Sequence, residues 1–169
     1  RGVAEGQLEG YRRALWSQAT EDQVWIDYVG GRSNGPASLP DRSHQGVSGI
    51  RATAVVDQAR SLATQHRPDI VLLMLGTNDA LNEANAASTV PGELLSIMRS
   101  IDAVQPNATI LLAPLPPIDP DVSGFGKRAD ADDIRAAINA QLPALAAQAR
   151  GQGIDARFVP MSNLGKGDL

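Results

Sequence analysis

A side-chain amide and a carboxylate stand side by side at Asn78 and Asp79, at the end of Gly76-Thr77-Asn78-Asp79. Six apolar residues, Ile70 to Leu75, run straight into that tetrapeptide, with Pro68 just before them. An apolar run of this length between Pro and Gly reads as a strand buried on both faces of a parallel sheet. Ligands of open α/β sheets bind just outside the carboxyl ends of such strands, so Asn78 and Asp79 emerge where chemistry is expected. A structural turn is the alternative, because Gly, Asn and Asp are also common turn residues. Other residues of reactive type are less well placed. Gly31-Arg32-Ser33-Asn34-Gly35 has the G-x-S-x-G spacing of a nucleophile elbow, yet an elbow turns directly into a helix and here Pro36 and a long loop follow. His66, before Pro68 at a helix end, reads as structural. His44 lies in a loop beside Gly46 and Gly49 and is a candidate to line a cleft and touch substrate. Two histidines without H-E-x-x-H spacing make no case for catalytic zinc. Gly124-Phe125-Gly126-Lys127 lacks the full spacing of a phosphate loop and the Ser or Thr after its Lys. Asp130, Asp132 and Asp133 read as a helix start, where negative charge suits the dipole, rather than as a metal site.

The elements that must position these residues alternate along the chain. Leu8, Tyr11 and Leu15 at helical spacing predict an amphipathic helix over 7–19. Val24, Ile26 and Tyr28 alternate with Trp25 and Asp27, which predicts a strand ending at Gly30-Gly31. Residues 31–48, rich in Gly, Pro, Ser and Asp, read as a long loop of the kind that is functional or disordered. A second helix is expected from Gly49 to Gln65, with Ala52, Val55, Ala59 and Leu62 on one face. After the strand at 69–75, a polar, Ala-rich loop (80–90) leads to Pro91 in the first turn of a third helix, with Leu94, Met98 and Ile101 as its apolar stripe. Thr109 to Leu115 is the next strand, closed by Pro116-Pro117 and followed by a loop over 118–129. Ile134, Ile138, Leu142 and Leu145 line the buried face of a last helix, which Pro143 is expected to bend. Phe158 and Val159 mark the last strand. Strands and helices in alternation give a parallel sheet covered on both faces.

Four pieces of this chain, in order, resemble the SGNH (GDSL-type) hydrolases, and most closely the carbohydrate-esterase branch that includes acetylxylan esterases. Gly10-Tyr11-Arg12-Arg13-Ala14-Leu15-Trp16 looks like the family's first helix, and Asp27-Tyr28-Val29-Gly30 is similar to its second strand. Asp41-Arg42-Ser43-His44-Gln45-Gly46-Val47-Ser48-Gly49 resembles the loop carrying the second block, and Gly76-Thr77-Asn78-Asp79 resembles the third. The resemblance implies an α/β fold, a flavodoxin-like three-layer α/β/α sandwich in one domain over 1–169. It implies a serine esterase acting on carboxylic, notably acetyl, esters of carbohydrate, secreted and without a cofactor or metal. In that family the Asn of the third block and a Gly of the second donate N–H groups to the oxyanion hole, roles that fall on Asn78 and Gly49. A backbone N–H can approach substrate closely where no Cβ intervenes, and a helix start adds free N–H groups. Gly46 is the rival for this role, and a plain turn glycine is the structural reading of Gly49. Asp79 is expected to hold its loop by accepting backbone N–H bonds more than to contact substrate. His44 does not match the family's catalytic histidine, which comes from the far C-terminus.

The departures from the family pattern are as informative. Its nucleophile is the Ser of a Gly-Asp-Ser motif ending the first strand, expected immediately before Arg1. Its general base is the His of an Asp-x-x-His motif near the C-terminus, expected just after Leu169. No Gly-Asp-Ser is present in the 169 residues, and no Asp-x-x-His near their C-terminus. A fragment cut just inside both catalytic ends is the simplest reading, with a complete but inactive protein as the alternative. In the family topology the first strand lies between strands two and three, so its absence would leave backbone groups unpaired on both neighbours. A non-catalytic carbohydrate-binding or interaction module on the same fold is the runner-up function. A flavodoxin-like signalling or nucleotide domain is a third, without a phosphate-cradling glycine motif to support it.

Composition narrows the classes further. A net charge of −4 lacks the basic face of a nucleic-acid binder. The cations are 13 Arg and only 2 Lys, a bias read as codon usage in a GC-rich genome. No apolar run approaches the roughly 20 residues needed to span a bilayer. With no cysteine, disulfides and thiolate metal sites are excluded. The expected partner is a small-molecule or polysaccharide ester. The segment 1–169 by itself is expected not to hydrolyse p-nitrophenyl acetate. Hydrolysis by this segment that vanishes in Ser33→Ala would overturn that expectation in favour of the elbow.

Overall fold

The computed structural model describes residues 10–118 and 128–161, and Leu8 and Gly124-Phe125-Gly126-Lys127 lie outside them. The chain forms two compact units, Arg1–Ser48 and Gly49–Leu169. In the first unit, α1 spans Arg12–Glu21. Its buried residues are Arg12 and Ala19, whereas Tyr11 and Leu15 of the expected apolar stripe are exposed. The reason is polar rather than apolar: the Arg12 guanidinium donates to the Arg42 carbonyl at 2.7 Å and to Asn34 Oδ1 at 2.8 Å. Tyr28 completes this arrangement, its hydroxyl donating to the Arg12 carbonyl and its ring tilted against Trp16.

The strand expected over 24–30 does not form. Residues 24–29 carry no regular secondary structure, and Trp25 is 85% exposed. A strand exists only through its ladder, and this segment has none among the described residues; side chains hold it there, with the Tyr28 N–H donating to Asp41 at 2.6 Å. The expected long loop contains instead a two-residue antiparallel pair, β1 (Arg32–Ser33) and β2 (Ser43–His44), with Ser33 opposite Ser43.

The second unit is a parallel α/β assembly, as the alternation of strands and helices predicts. β3 (Ile70–Leu73), β4 (Thr109–Leu112) and β5 (Ala156–Phe158) lie side by side in that order, all parallel, with Ile70 opposite Thr109 and Ile110 opposite Ala156. α2 (Ala52–His66), α3 (Thr77–Asn82), α4 (Ala86–Asp102) and α5 (Ala131–Arg150) supply the helices. Leu94, Met98 and Ile101 are buried on α4, and Ile134, Ile138, Leu142 and Leu145 on α5, together with Ile110 and Leu112 of β4. The two stripes predicted for these helices are the ones that pack.

Two predictions fail here for physical reasons. β3 is not buried on both faces: Leu73 is buried, but Ile70 and Leu72, which share the opposite face of the strand, are 60% and 45% exposed because that face is left open. The loop expected over 80–90 is mostly helical, and Pro91 sits inside α4 rather than in its first turn. An internal proline leaves the carbonyl four residues earlier without its N–H partner. Gln141 of α5 fills that vacancy, its Nε2 donating to the Ala87 carbonyl at 2.8 Å. Pro143 likewise lies within the continuous span of α5. No helix among the described residues is long and apolar enough to cross a membrane.

Met98 is fully buried in this core and Trp25 is not. Met98→Ala should therefore cost about 2–5 kcal/mol of unfolding free energy, and Trp25→Ala less than about 0.5. Denaturant titration measures both, and a Trp25→Ala cost as large as that of Met98→Ala would contradict the open placement of residues 24–29.

Candidate active site

Chain geometry at the end of β3 is set by Gly76. Its φ of 129° is open to glycine, and a Cβ there would stand 3.0 Å from Val90 Cγ1 and 3.3 Å from Leu115 Cδ1. The chain thus turns tightly over the core and enters α3 at once, which places Asn78 and Asp79 in the first turn of a helix at the carboxyl end of the sheet. Such a helix of six residues is too short to show a period, and the sequence alone does not reveal it.

Asn78 and Asp79 both reach the segment that leads into α2. Asn78 Nδ2 donates to the Ile50 carbonyl at 3.0 Å. Both Asp79 carboxylate oxygens accept from the Ala52 N–H, at 3.1 and 3.2 Å. A third tie is ionic: the Arg51 guanidinium lies 2.8 Å from Glu83 Oε1. Nothing in the spacing of residues some thirty positions apart announces the Arg51–Glu83 pair, and sequence reasoning missed it. Thr53 of α2 also donates to Glu93 of α4, whose second carboxylate oxygen is buried without a donor.

Gly49 is drawn into this cluster through its neighbour Ile50. It lies in a turn three residues ahead of α2, not at the helix start expected for it. Its φ of 75° is left-handed, and a Cβ there would meet nothing within 4 Å. Glycine is therefore favoured by backbone conformation, not by crowding. The Gly49 N–H is paired with no acceptor among the described residues. One N–H of the Asn78 amide is committed to Ile50, which fixes its plane and leaves its second N–H to donate elsewhere.

Asp79 is 1% exposed. Burial pushes its carboxyl above the usual carboxylate range, the Ala52 N–H pulls it back, and the nearby charges of Glu93 and Glu83 push it up again. Its place ahead of α2 gives the ionised form some compensation from the helix dipole.

His44 and Gly46 belong to the first unit; Gly46 is exposed, and a Cβ on it would lie 3.5 Å from His44 Nδ1. His44 Nε2 is buried without a partner, and burial together with Arg12 and Arg32 holds its imidazole below the usual value. Ser33 is exposed within β1 and no helix follows it, so the elbow geometry is absent. His66 is in the last turn of α2. Asp130 pairs with Arg128, and Asp132 accepts the Ile118 N–H and pairs with Arg135, as befits a helix start. Among the described residues no group of three His, Cys, Asp or Glu could hold a metal ion. A cavity of about 100 Å³ opens beyond the carboxyl end of β4, lined by Pro114–Pro117, Arg135, Asn139 and Met161.

Comparison with known proteins adds an independent line. The model of the GDSL-like lipase/acylhydrolase family matches residues 8–167. No curated protein matches significantly. Among solved structures, the chain is similar to a family 3 carbohydrate esterase from Clostridium thermocellum, at 28% identity and a TM-score of 0.75, over 96% of this chain and 73% of that one. It is similar to a mutant acetyl esterase crystallised with acetate ion, at 20% identity and a TM-score of 0.78, over 94% of this chain and 77% of that one. A family 3 carbohydrate esterase from Talaromyces cellulolyticus matches at 22% identity and a TM-score of 0.70, over 89% and 70%. The last two likenesses speak to the fold alone.

The raised affinity of Asp79 for its proton has a definite sign. The folded state binds that proton more tightly than the unfolded chain, so the associated stability is full at acid pH and is lost as pH rises through the folded value. Asp79→Asn keeps an oxygen for the Ala52 N–H and cannot titrate. Unfolding measured from about pH 4 to pH 8 should therefore favour the variant increasingly as pH rises. A difference that stays constant across that range would show that Asp79 titrates normally.

Proposed function

The chain belongs to the GDSL-like lipase/acylhydrolase family, whose members are carboxylic-ester hydrolases, and from that premise we propose that it deacetylates carbohydrate. In this reading Asn78 and Gly49 donate to the oxyanion of the tetrahedral intermediate. The observation that carries it is the bond from Asn78 to Ile50, which draws a fixed amide to the turn where the Gly49 N–H lacks an acceptor. Two N–H donors held beforehand lose nothing to reorganisation when negative charge develops on the ester oxygen. The carbohydrate part rests on likeness to a protein described as a carbohydrate esterase, and the acetyl part on the resemblance of the sequence blocks to the branch that includes acetylxylan esterases.

Within this proposal a serine attacks the ester carbonyl, and a histidine oriented by an aspartate takes its proton and returns it to the leaving alcohol. In the family pattern those groups belong to the Gly-Asp-Ser and Asp-x-x-His blocks. The residues described here do the rest: Gly76 aims α3, Asn78 and Gly49 face the developing charge, and Asp79 stays out of the chemistry.

In the natural gene product, Asn78→Ala should lower kcat for p-nitrophenyl acetate by about 10²–10³ with little change in KM. Gly49→Ala, forced into a left-handed conformation, should cost about 1–2 kcal/mol of stability as well as rate. Release of acetate from acetylated xylan, with no fatty acid released from long-chain acyl esters, is the expected specificity. Full activity in Asn78→Ala would remove Asn78 from the oxyanion hole, and preference for long acyl chains would reject the carbohydrate reading.

A further inference from the structure

We propose that Asp79 is a positioning residue for the oxyanion hole, holding the Gly49–Ile50 turn in place through the Ala52 N–H. The inference rests on the esterase reading above and extends it to a residue that touches no substrate. Ala52 is the first residue of α2 and is fully buried, so no solvent can take the place of its acceptor. The cap position before it is Arg51, which makes no side-chain cap bond. Asp79 therefore supplies, from 27 residues away in sequence, an acceptor for the first free N–H of α2, which a local cap side chain reaching the second or third helical residue would not serve.

The other restraints on this turn are more open to solvent. Arg51 and Glu83 pair across a partly exposed surface, with side-chain exposures of 48% and 28%, where solvent screens the attraction. Gly49 has open space around its α-carbon and contributes no packing. The Asn78 bond to Ile50 is neutral and only part-buried. The Asp79 contact is the buried one, a single N–H shared between two carboxylate oxygens at 3.1 and 3.2 Å, out of reach of solvent that could replace it.

Because Asn78 and Asp79 are consecutive, one turn of α3 grips the approach to α2 twice, at the Ile50 carbonyl and at the Ala52 N–H. A carboxylate lost at 79 leaves only the Asn78 bond and the solvent-screened Arg51–Glu83 pair on a segment that can then swing more widely about Gly49. The consequence is particular: donors to the oxyanion act in the transition state, so the loss falls on kcat and not on KM.

The test uses the natural gene product with Asp79→Ala and Asp79→Asn, read by amide hydrogen exchange at Ala52 and by kinetics on p-nitrophenyl acetate. Asp79→Ala should speed exchange at Ala52 by about tenfold or more while core amides of α4 stay protected. It should lower kcat, by no more than the about 10²–10³ that losing one donor costs, with KM unchanged. Asp79→Asn, which keeps an acceptor oxygen, should restore both readings and also guards against a folding defect in the alanine variant. Unchanged exchange at Ala52, a loss confined to KM, or failure of the folded asparagine variant to rescue would each overturn the proposal. If the parent protein hydrolyses no ester, the esterase reading falls. Exchange at Ala52 then still decides whether Asp79 holds the turn.

Discussion

A buried carboxylate accepting the N–H of Ala52 ties the two halves of the candidate site together. Without it, the residues after β3 and the residues before α2 would be joined by a neutral amide bond and an exposed ion pair. The cost of this arrangement is visible in Asp79 itself, whose charged form is disfavoured by burial and by the neighbouring Glu93 and Glu83. Keeping a charge in such a place makes sense when geometry, rather than net stability, is at stake, since a paired buried charge is weak evidence of stabilisation. The oxyanion-hole reading gives that geometry a use.

The core beneath this cluster is ordinary, and that is its contribution. β3, β4 and β5 run parallel, so their carboxyl ends lie at one edge, and Gly76 turns the chain over Val90 and Leu115 at that edge. Apolar faces of α4 and α5 close over Ile110 and Leu112. Even the interruption at Pro91 is accommodated, with the Gln141 side chain donating to the carbonyl that the proline leaves unbonded. A donor pair for a transition state must sit on elements that do not shift, and α3 springs directly from this packed edge.

The first unit follows a different logic. Its organisation depends on the Arg12 guanidinium, which bonds the Arg42 carbonyl and Asn34, and on Asp41, which accepts the N–H groups of Tyr28 and Ser43. Apolar side chains there, Tyr11, Val24 and Trp25 among them, are largely exposed. Side-chain-to-backbone bonds of this kind order a segment without a ladder or a stripe.

By itself the sequence determined what repeats with a period or belongs to a motif. The stripes of α4 and α5 were legible because residues three and four apart must share a helix face, and β4 because an apolar run between turn residues has few other uses. The family was legible in Gly76-Thr77-Asn78-Asp79 and the pieces before it, because a family motif keeps given residue types in a given order. The role of Asp79 as a holder of backbone N–H groups was also readable, but not its target. The tertiary structure decided the rest. Whether residues 24–29 become a strand, or β3 is covered on both faces, depends on neighbours that no local pattern encodes. That Asn78 meets Ile50, Asp79 meets Ala52 and Arg51 meets Glu83 depends on how far the chain travels between β3 and α2 in space. Periodicity reports which face of an element is apolar; only packing reports what that face, or an amide beside it, will touch.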